Sequence, residues 1–154
     1  MRVSISSTFD APAEDVWRRV QLSSTLIYIT KGLLRFSGAE TFRGQWIESR
    51  NETCRLMLFG FIPLWKHQLY FAEIDSVERH LSTQEHGGLV SVWNHQILVH
   101  DISNNKSRYE DIVDIEAGLF TPLVWFFAQV LYRYRQKRWK RLLRKVDQTN
   151  SYDY

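Results

Sequence analysis

Val3, Ile5 and Phe9 fall on one side of a period-two pattern, with Ser7 between them, which predicts a first strand. Asp10 precedes Ala11-Pro12-Ala13-Glu14. An aspartate cap, an early proline and an acidic first turn predict a helix whose apolar face is Val16, Trp17 and Val20. Ser23-Ser24-Thr25 opens a second short helix, carried by Ile27 and Ile29 and stopped near Gly32. Strand-like text follows over 33–36, 44–48, 53–61, 66–75, 78–84, 89–100 and 108–115, with Gly60 marking a bend and Pro63 a break.

Trp93, His95, Ile97 and Val99 share one strand face, as do Tyr109, Asp111, Val113 and Ile115. Asn104-Asn105-Lys106 between them is a hairpin signal, and a three-residue loop between Ser103 and Ser107 sets Asp111 opposite Val99. Gly118 ends the sheet. Thr121-Pro122 then starts a helix that runs without Gly or Pro to about Val146, roughly 37 Å at about 1.5 Å per residue. Leu123, Phe126, Phe127, Val130, Leu131 and Tyr134 form a broad apolar stripe in its first half. The expected organisation is one α+β domain over 1–147 and a polar tail over 148–154.

Composition narrows the class. With 44% hydrophobic and 24% charged residues, the chain is that of a folded globular domain. Aromatic residues reach 14%, which suits a large core, a greasy cavity or an interface. The net charge of +3 is unevenly spread, because eight of the thirteen residues from Arg133 to Lys145 are Lys or Arg and the body before them is net acidic. Cys54 is the single cysteine, so neither an intrachain disulfide nor a thiolate metal cluster can form, which favours a reducing compartment. The first residues lack the apolar core of a signal peptide, and the longest apolar run, Leu123 to Leu131, contains Gln129 and is too short for a bilayer. The expectation is a cytoplasmic protein.

The order of strand, two short helices, further antiparallel strands and one long terminal helix comes with several recognisable segments. Phe9-Asp-Ala-Pro-Ala-Glu-Asp-Val-Trp17 resembles the opening strand-to-helix motif of the START-like, or SRPBCC and polyketide cyclase, superfamily. Trp93-Asn-His95 followed by Tyr109-Glu-Asp111-Ile-Val113 resembles the paired late strands of its bacterial ligand-binding branch, and Tyr132-Arg-Tyr-Arg135 with Trp139 is similar to a late segment of its terminal helix. Some relatives carry a second histidine where this chain has Ile97, and a late-strand tyrosine where it has Ile115. The resemblance implies a helix-grip fold: a curved antiparallel sheet of six to seven strands wrapped on a long C-terminal helix, with a hydrophobic cavity between them. It implies no particular ligand or reaction.

The leading expectation is therefore non-covalent binding of a lipid-like or aromatic small molecule. The expected lining is Phe59, His67, Leu69, Phe71, Trp93, His95, Ile97, Tyr109, Asp111, Phe126, Phe127 and Val130, although the same aromatics can simply fill the space. No catalytic set is complete. His95 and Asp111 are the candidates for acid–base work in a cyclase, aromatase or dehydratase type of reaction, against the plainer readings of a histidine satisfied by a neighbouring tyrosine and a strand-end aspartate near water. His67 and Glu73 face the cavity with Leu69 and Phe71, or Tyr70 and Ile74 do instead; alternation alone leaves both open. Histidine spacing offers no metal site, and no cofactor or nucleic-acid partner is expected. The basic stretch from Arg133 to Lys145 suits either an anionic membrane or pairing with Glu110, Asp114 and Glu116.

Overall fold

The computed structural model describes residues 1–38, 42 and 44–150, the last six of these in their backbone alone. Strand β1 (Arg2–Phe9) leads into α1 (Ala13–Val20) and α2 (Ser23–Thr30). Six strands follow: β2 (Leu34–Ser37), β3 (Asn51–Leu58), β4 (Ile62–Asp75), β5 (His80–Gly87), β6 (Val90–Ser103) and β7 (Lys106–Glu116). A single 3-10 turn (Gly118–Phe120) then enters α3 (Thr121–Asn150). The strands form one antiparallel sheet in the order β1-β7-β6-β5-β4-β3-β2, curled around α3. The first strand thus lies against the last, and the chain enters and leaves the sheet at the same side.

Local chemistry explains most boundaries. Asp10 does not cap α1. Pro12 stands at the cap position, its carbonyl accepting from Asp15 and Val16, while Asp10 stays exposed. Thr121 also turns backward, accepting from the Ala117 amide and donating to the Gly118 carbonyl, which fixes the 3-10 turn. Lys31 caps α2 and Gly32 follows at a φ of 100°, where a side chain would meet the Tyr134 hydroxyl at 2.8 Å. Residues 44–48 form no strand; they are held by an isolated bridge, Leu22 to Gln45, by backbone bonds from Ser23 to Gly44 and from Trp46 to Gln21, and by the Trp46 ring stacked on Phe71. Pro63 does not end a strand but lies near the start of β4, paired with Met57. The helix α3 extends to Asn150, past the expected end near Val146, and of the expected tail only 151–154 lies outside the described residues.

Two irregularities set which side chains face inward. A shift between Asp101 and Ser103 shortens the β6–β7 connection, so Asp111 pairs with Ile97 and Val99 with Tyr109, in place of the expected Asp111–Val99 register. The displacement is two residues, so the faces stay matched and only the neighbours change. A second shift between Phe71 and Glu73 reverses the facing of β4 midway. Before it, His67, Leu69 and Phe71 are buried; after it, Ile74 packs on the core and Glu73 points outward to His80.

The inner face of α3 differs from the greasiest stripe in its sequence. Ala128, Leu131, Tyr132, Arg135, Gln136, Trp139 and Leu143 are buried, while Leu123, Phe126 and Val130 are exposed. Gln136 ties the helix to β1, donating to the Ile5 carbonyl at 2.6 Å and accepting from Ser7 at 2.6 Å. Trp139 stacks with Phe9 and tilts against Tyr109, closing the core at that level of the helix.

Candidate functional site

Between the concave sheet and α3 lies a cavity of about 280 Å³, lined almost wholly by apolar side chains from β2 to β6, α2 and α3. Its wall includes Leu56, Leu69, Phe71, Ile97, Phe127 and Leu131. Leu89 and Leu123 belong to the wall yet are more than half exposed, which places the opening at the start of α3. The volume sits just below the roughly 300–1,000 Å³ of pockets that hold drug-sized molecules.

The polar groups of the wall come in two sets. In the first, Asp111, with no exposed surface, accepts from His95 Nε2 at 2.9 Å, from the Tyr109 hydroxyl at 2.9 Å and from Gln136 Nε2 at 3.3 Å. Arg135 Nη2 stands 3.6 Å from the same carboxylate. Desolvation pushes the Asp111 carboxyl up, but the Arg135 charge and the His95 hydrogen bond outweigh it and hold the group below its ordinary value. Burial and then the Asp111 charge push the Tyr109 phenol well up. Burial alone would lower the Arg135 guanidinium; the Asp111 charge reverses that, so the residue is a firm cation. With Asp111 ionised, His95 donates through Nε2, and Nδ1 is the nitrogen through which it can take or give a proton.

In the second set, His67 Nε2 lies 2.8 Å from Glu85, which also accepts from Thr83 at 2.6 Å. Here too desolvation raises the carboxyl, and the His67 hydrogen bond and charge bring it below the ordinary value. His67 Nδ1 is shielded and has no hydrogen-bond partner among the described residues. Above both sets, Trp93 Nε1 donates to the Tyr132 hydroxyl at 3.1 Å, and the Tyr132 ring lies 5.0 Å from that of His95. Among the described residues no group of three His, Cys, Asp or Glu side chains is arranged to hold a metal ion.

Of the residues singled out from sequence, His67, Leu69, Phe71, Trp93, His95, Ile97, Tyr109 and Phe127 all lie in the cavity wall. Asp111 does not; it stands behind His95 and Tyr109, and it is fully buried rather than a strand-end aspartate near water. Phe59 is half exposed in the β3–β4 turn, and Phe126 and Val130 point away from the sheet, so none of the three reaches the cavity. Sequence reasoning missed Thr83, Glu85, Tyr132 and Arg135. The signal for the first two was present in β5, where Leu81, Thr83 and Glu85 alternate on one face. Among the described residues the basic stretch forms no ion pair with Glu110, Asp114 or Glu116. Arg2 takes Asp114, Arg108 and Ser4 take Glu110, and the Arg138 guanidinium sits on the Tyr28 ring and carbonyl.

This architecture, a curled antiparallel sheet gripping one long helix over an apolar cavity, is the START-like fold. Solved structures with it include a START superfamily protein from Mycobacterium smegmatis (13% identity, TM-score 0.67, covering 94% of this chain and 98% of that one). A second is norcoclaurine synthase from Thalictrum flavum in complex with dopamine and hydroxybenzaldehyde (12%, 0.68, 94% and 87%). A third is a protein from Chromobacterium violaceum (12%, 0.71, 92% and 95%). At such identities the likeness establishes the fold alone. By sequence the chain belongs to the family described as a domain of unknown function, DUF8410, which matches residues 7–144. No curated protein matches it.

Proposed function

We propose that this protein binds a small, predominantly apolar molecule non-covalently between the sheet and α3. The observation that carries the reading is the cavity of about 280 Å³ with a nearly continuous apolar wall and an opening beside Leu89 and Leu123. A ligand leaving about 200 Å² of apolar surface there gains about 5 kcal/mol before the cost of association. The few polar groups at the wall orient it. Titration with the neutral fluorophore 1-aminoanthracene, alongside native mass spectrometry of the purified protein, tests this. Saturable binding is expected in the native chain, with loss in a folded Ile97→Trp variant that fills the space. A native chain that neither retains nor takes up any apolar compound removes the reading.

A second reading concerns the outer face of α3. Leu119, Leu123, Phe126 and Val130 recur at helical spacing and are exposed, and the same face continues as Arg133, Lys137, Lys140, Arg141 and Arg144, also exposed. Arg135 and Arg138 are withdrawn from it by their inward contacts. An apolar half beside a basic half fits an anionic membrane surface, each cation contributing about 1 kcal/mol near such a surface. A second copy packed on this face in either direction would set cations against cations or against apolar side chains. No helix among the described residues is long and apolar enough to cross a membrane, so the contact would be peripheral. Co-sedimentation with phosphatidylglycerol-containing vesicles that weakens with salt is expected; equal binding to purely zwitterionic vesicles would sink it. The His95–Asp111 pair also supports proton transfer within the cavity, and turnover lost in His95→Ala with ligand binding intact would be its signature.

A further inference from the structure

Among the described residues Arg135 is the one Lys or Arg of the cavity wall, and it is buried. It is 5% exposed, and among the described residues its guanidinium makes no hydrogen bond, its Nε being fully shielded. Its nearest anion, Asp111, lies 3.6 Å from Nη2, beyond hydrogen-bond length, and already accepts from His95, Tyr109 and Gln136. The guanidinium stacks 4.7 Å from the centre of the Tyr132 ring, and its Nε is shielded with no partner. A guanidinium carries five N–H donors, and leaving buried donors unmade is costly. One turn back on the same face of α3, the Tyr132 hydroxyl accepts from Trp93 and has no acceptor for its own proton among the described residues. Two adjacent donors are therefore left unanswered by the protein at the edge of an otherwise apolar space.

We infer that the cavity selects apolar molecules carrying a neutral carbonyl oxygen, which Arg135 and Tyr132 receive as hydrogen-bond donors. This rests on the binding function proposed above and names the polar group of its ligand. Charge decides between a carbonyl and a carboxylate. Asp111 already faces the guanidinium at 3.6 Å, and Glu85, held by His67 and Thr83, is a second carboxylate in the cavity wall, so an acid ligand would add a third negative charge to a dry site. A carbonyl oxygen satisfies the donors without that cost and leaves the alkyl or aryl remainder against the apolar wall.

The test uses three compounds of nearly one shape: acetophenone, α-methylstyrene, in which a methylene replaces the oxygen, and benzoate. Affinities are read by ligand-observed NMR at pH 7.5 on the native protein, so the central comparison needs no variant. Acetophenone is expected to bind roughly tenfold or more tightly than α-methylstyrene, the range of a hydrogen bond to a charged donor. Benzoate is expected to be weaker than acetophenone. In Arg135→Met, checked for folding by circular dichroism, the ketone preference should collapse toward unity while α-methylstyrene binding persists. Equal binding of ketone and alkene by the native protein overturns the inference and leaves the cavity function standing. Benzoate tighter than acetophenone overturns the assignment to a neutral oxygen. Absence of binding by all three removes this inference, and with 1-aminoanthracene also unbound, the cavity function as well.

Discussion

Replacing Asp111 by asparagine changes one proton-sized detail at the most enclosed polar site of the molecule. Asp111 has no exposed surface and accepts three hydrogen bonds while facing Arg135 at 3.6 Å. An amide keeps the shape but turns one oxygen into a donor. At the first oxygen it would meet the donors of His95 and Tyr109. At the second it would meet Gln136 Nε2, which cannot rotate away because Gln136 is held by Ser7 and the Ile5 carbonyl. Either placement strands buried donors, at about 1–3 kcal/mol each. The lost charge also leaves Arg135 unbalanced, and breaking one side of a buried pair costs about 3–5 kcal/mol. These terms overlap, so the expected loss is about 3–5 kcal/mol, or about 6–20 °C in Tm for a chain of this length. Urea unfolding followed by tryptophan fluorescence and circular dichroism measures it. In an Arg135→Met background the same substitution should cost less, by about 0.5–3 kcal/mol of coupling. A loss below about 1 kcal/mol with no coupling would refute the picture of a dry, mutually dependent cluster.

Acid unfolding should carry the mark of both buried carboxylates. Their folded pKa values are lowered, so the stability they confer is complete above the ordinary carboxylate range and is lost as pH falls through the lowered values; a Glu85→Gln variant should show a shallower acid limb in stability against pH. Cys54 is 3% exposed, and burial followed by the charges of Glu85 and Glu52 pushes its thiol up to about 12, so iodoacetamide should modify it slowly in the folded chain and rapidly in urea, as read by intact mass. Gly87→Ala should destabilise by about 1–3 kcal/mol in urea titration, because its Cβ would stand 2.2 Å from the Lys66 carbonyl and 2.8 Å from the Trp65 ring, a backbone neighbour that cannot yield.

Much of the architecture was written in short-range pattern. The facing of Trp93, His95, Ile97 and Val99 follows from alternation alone, and so does the burial of Val16, Trp17 and Val20 from helical spacing. What alternation cannot carry is the place where it breaks. The shifts in β4 and at the end of β6 leave no residue signature, so the inward set of β4 and the partner of Asp111 were not legible. On α3 the reading followed hydrophobicity and selected Phe126 and Val130, whereas the fold buries Arg135 and Gln136 on the sheet side. Those two are inward because Asp111, Ser7 and the Ile5 carbonyl require partners there, a demand that exists only once β1, β7 and α3 meet. Sequence thus named wall residues of β4, β6 and β7, His67, His95 and Tyr109 among them, and did not assign Arg135 to the wall, because its reason to face inward lies across the sheet.

The pairing of β1 with β7 has a consequence for how the molecule comes into being. Arg2–Phe9 is made well before its hydrogen-bonding neighbour, residues 106–116, so the nascent strand waits with an unpaired edge while the intervening helices and strands are synthesised. Loop closure over that span is slow, and unpaired strands are the segments that associate wrongly. Val3, Ile5 and Phe9 are spaced by polar Ser4, Ser6, Ser7 and Thr8, a hydroxyl-rich spelling that lowers the stickiness of the waiting segment. The ribosome-bound intermediate, and not the finished domain, is where Ser6→Val would be felt, because Ser6 is exposed, whereas Ser4 and Ser7 also hold Glu110 and Gln136 in the folded molecule.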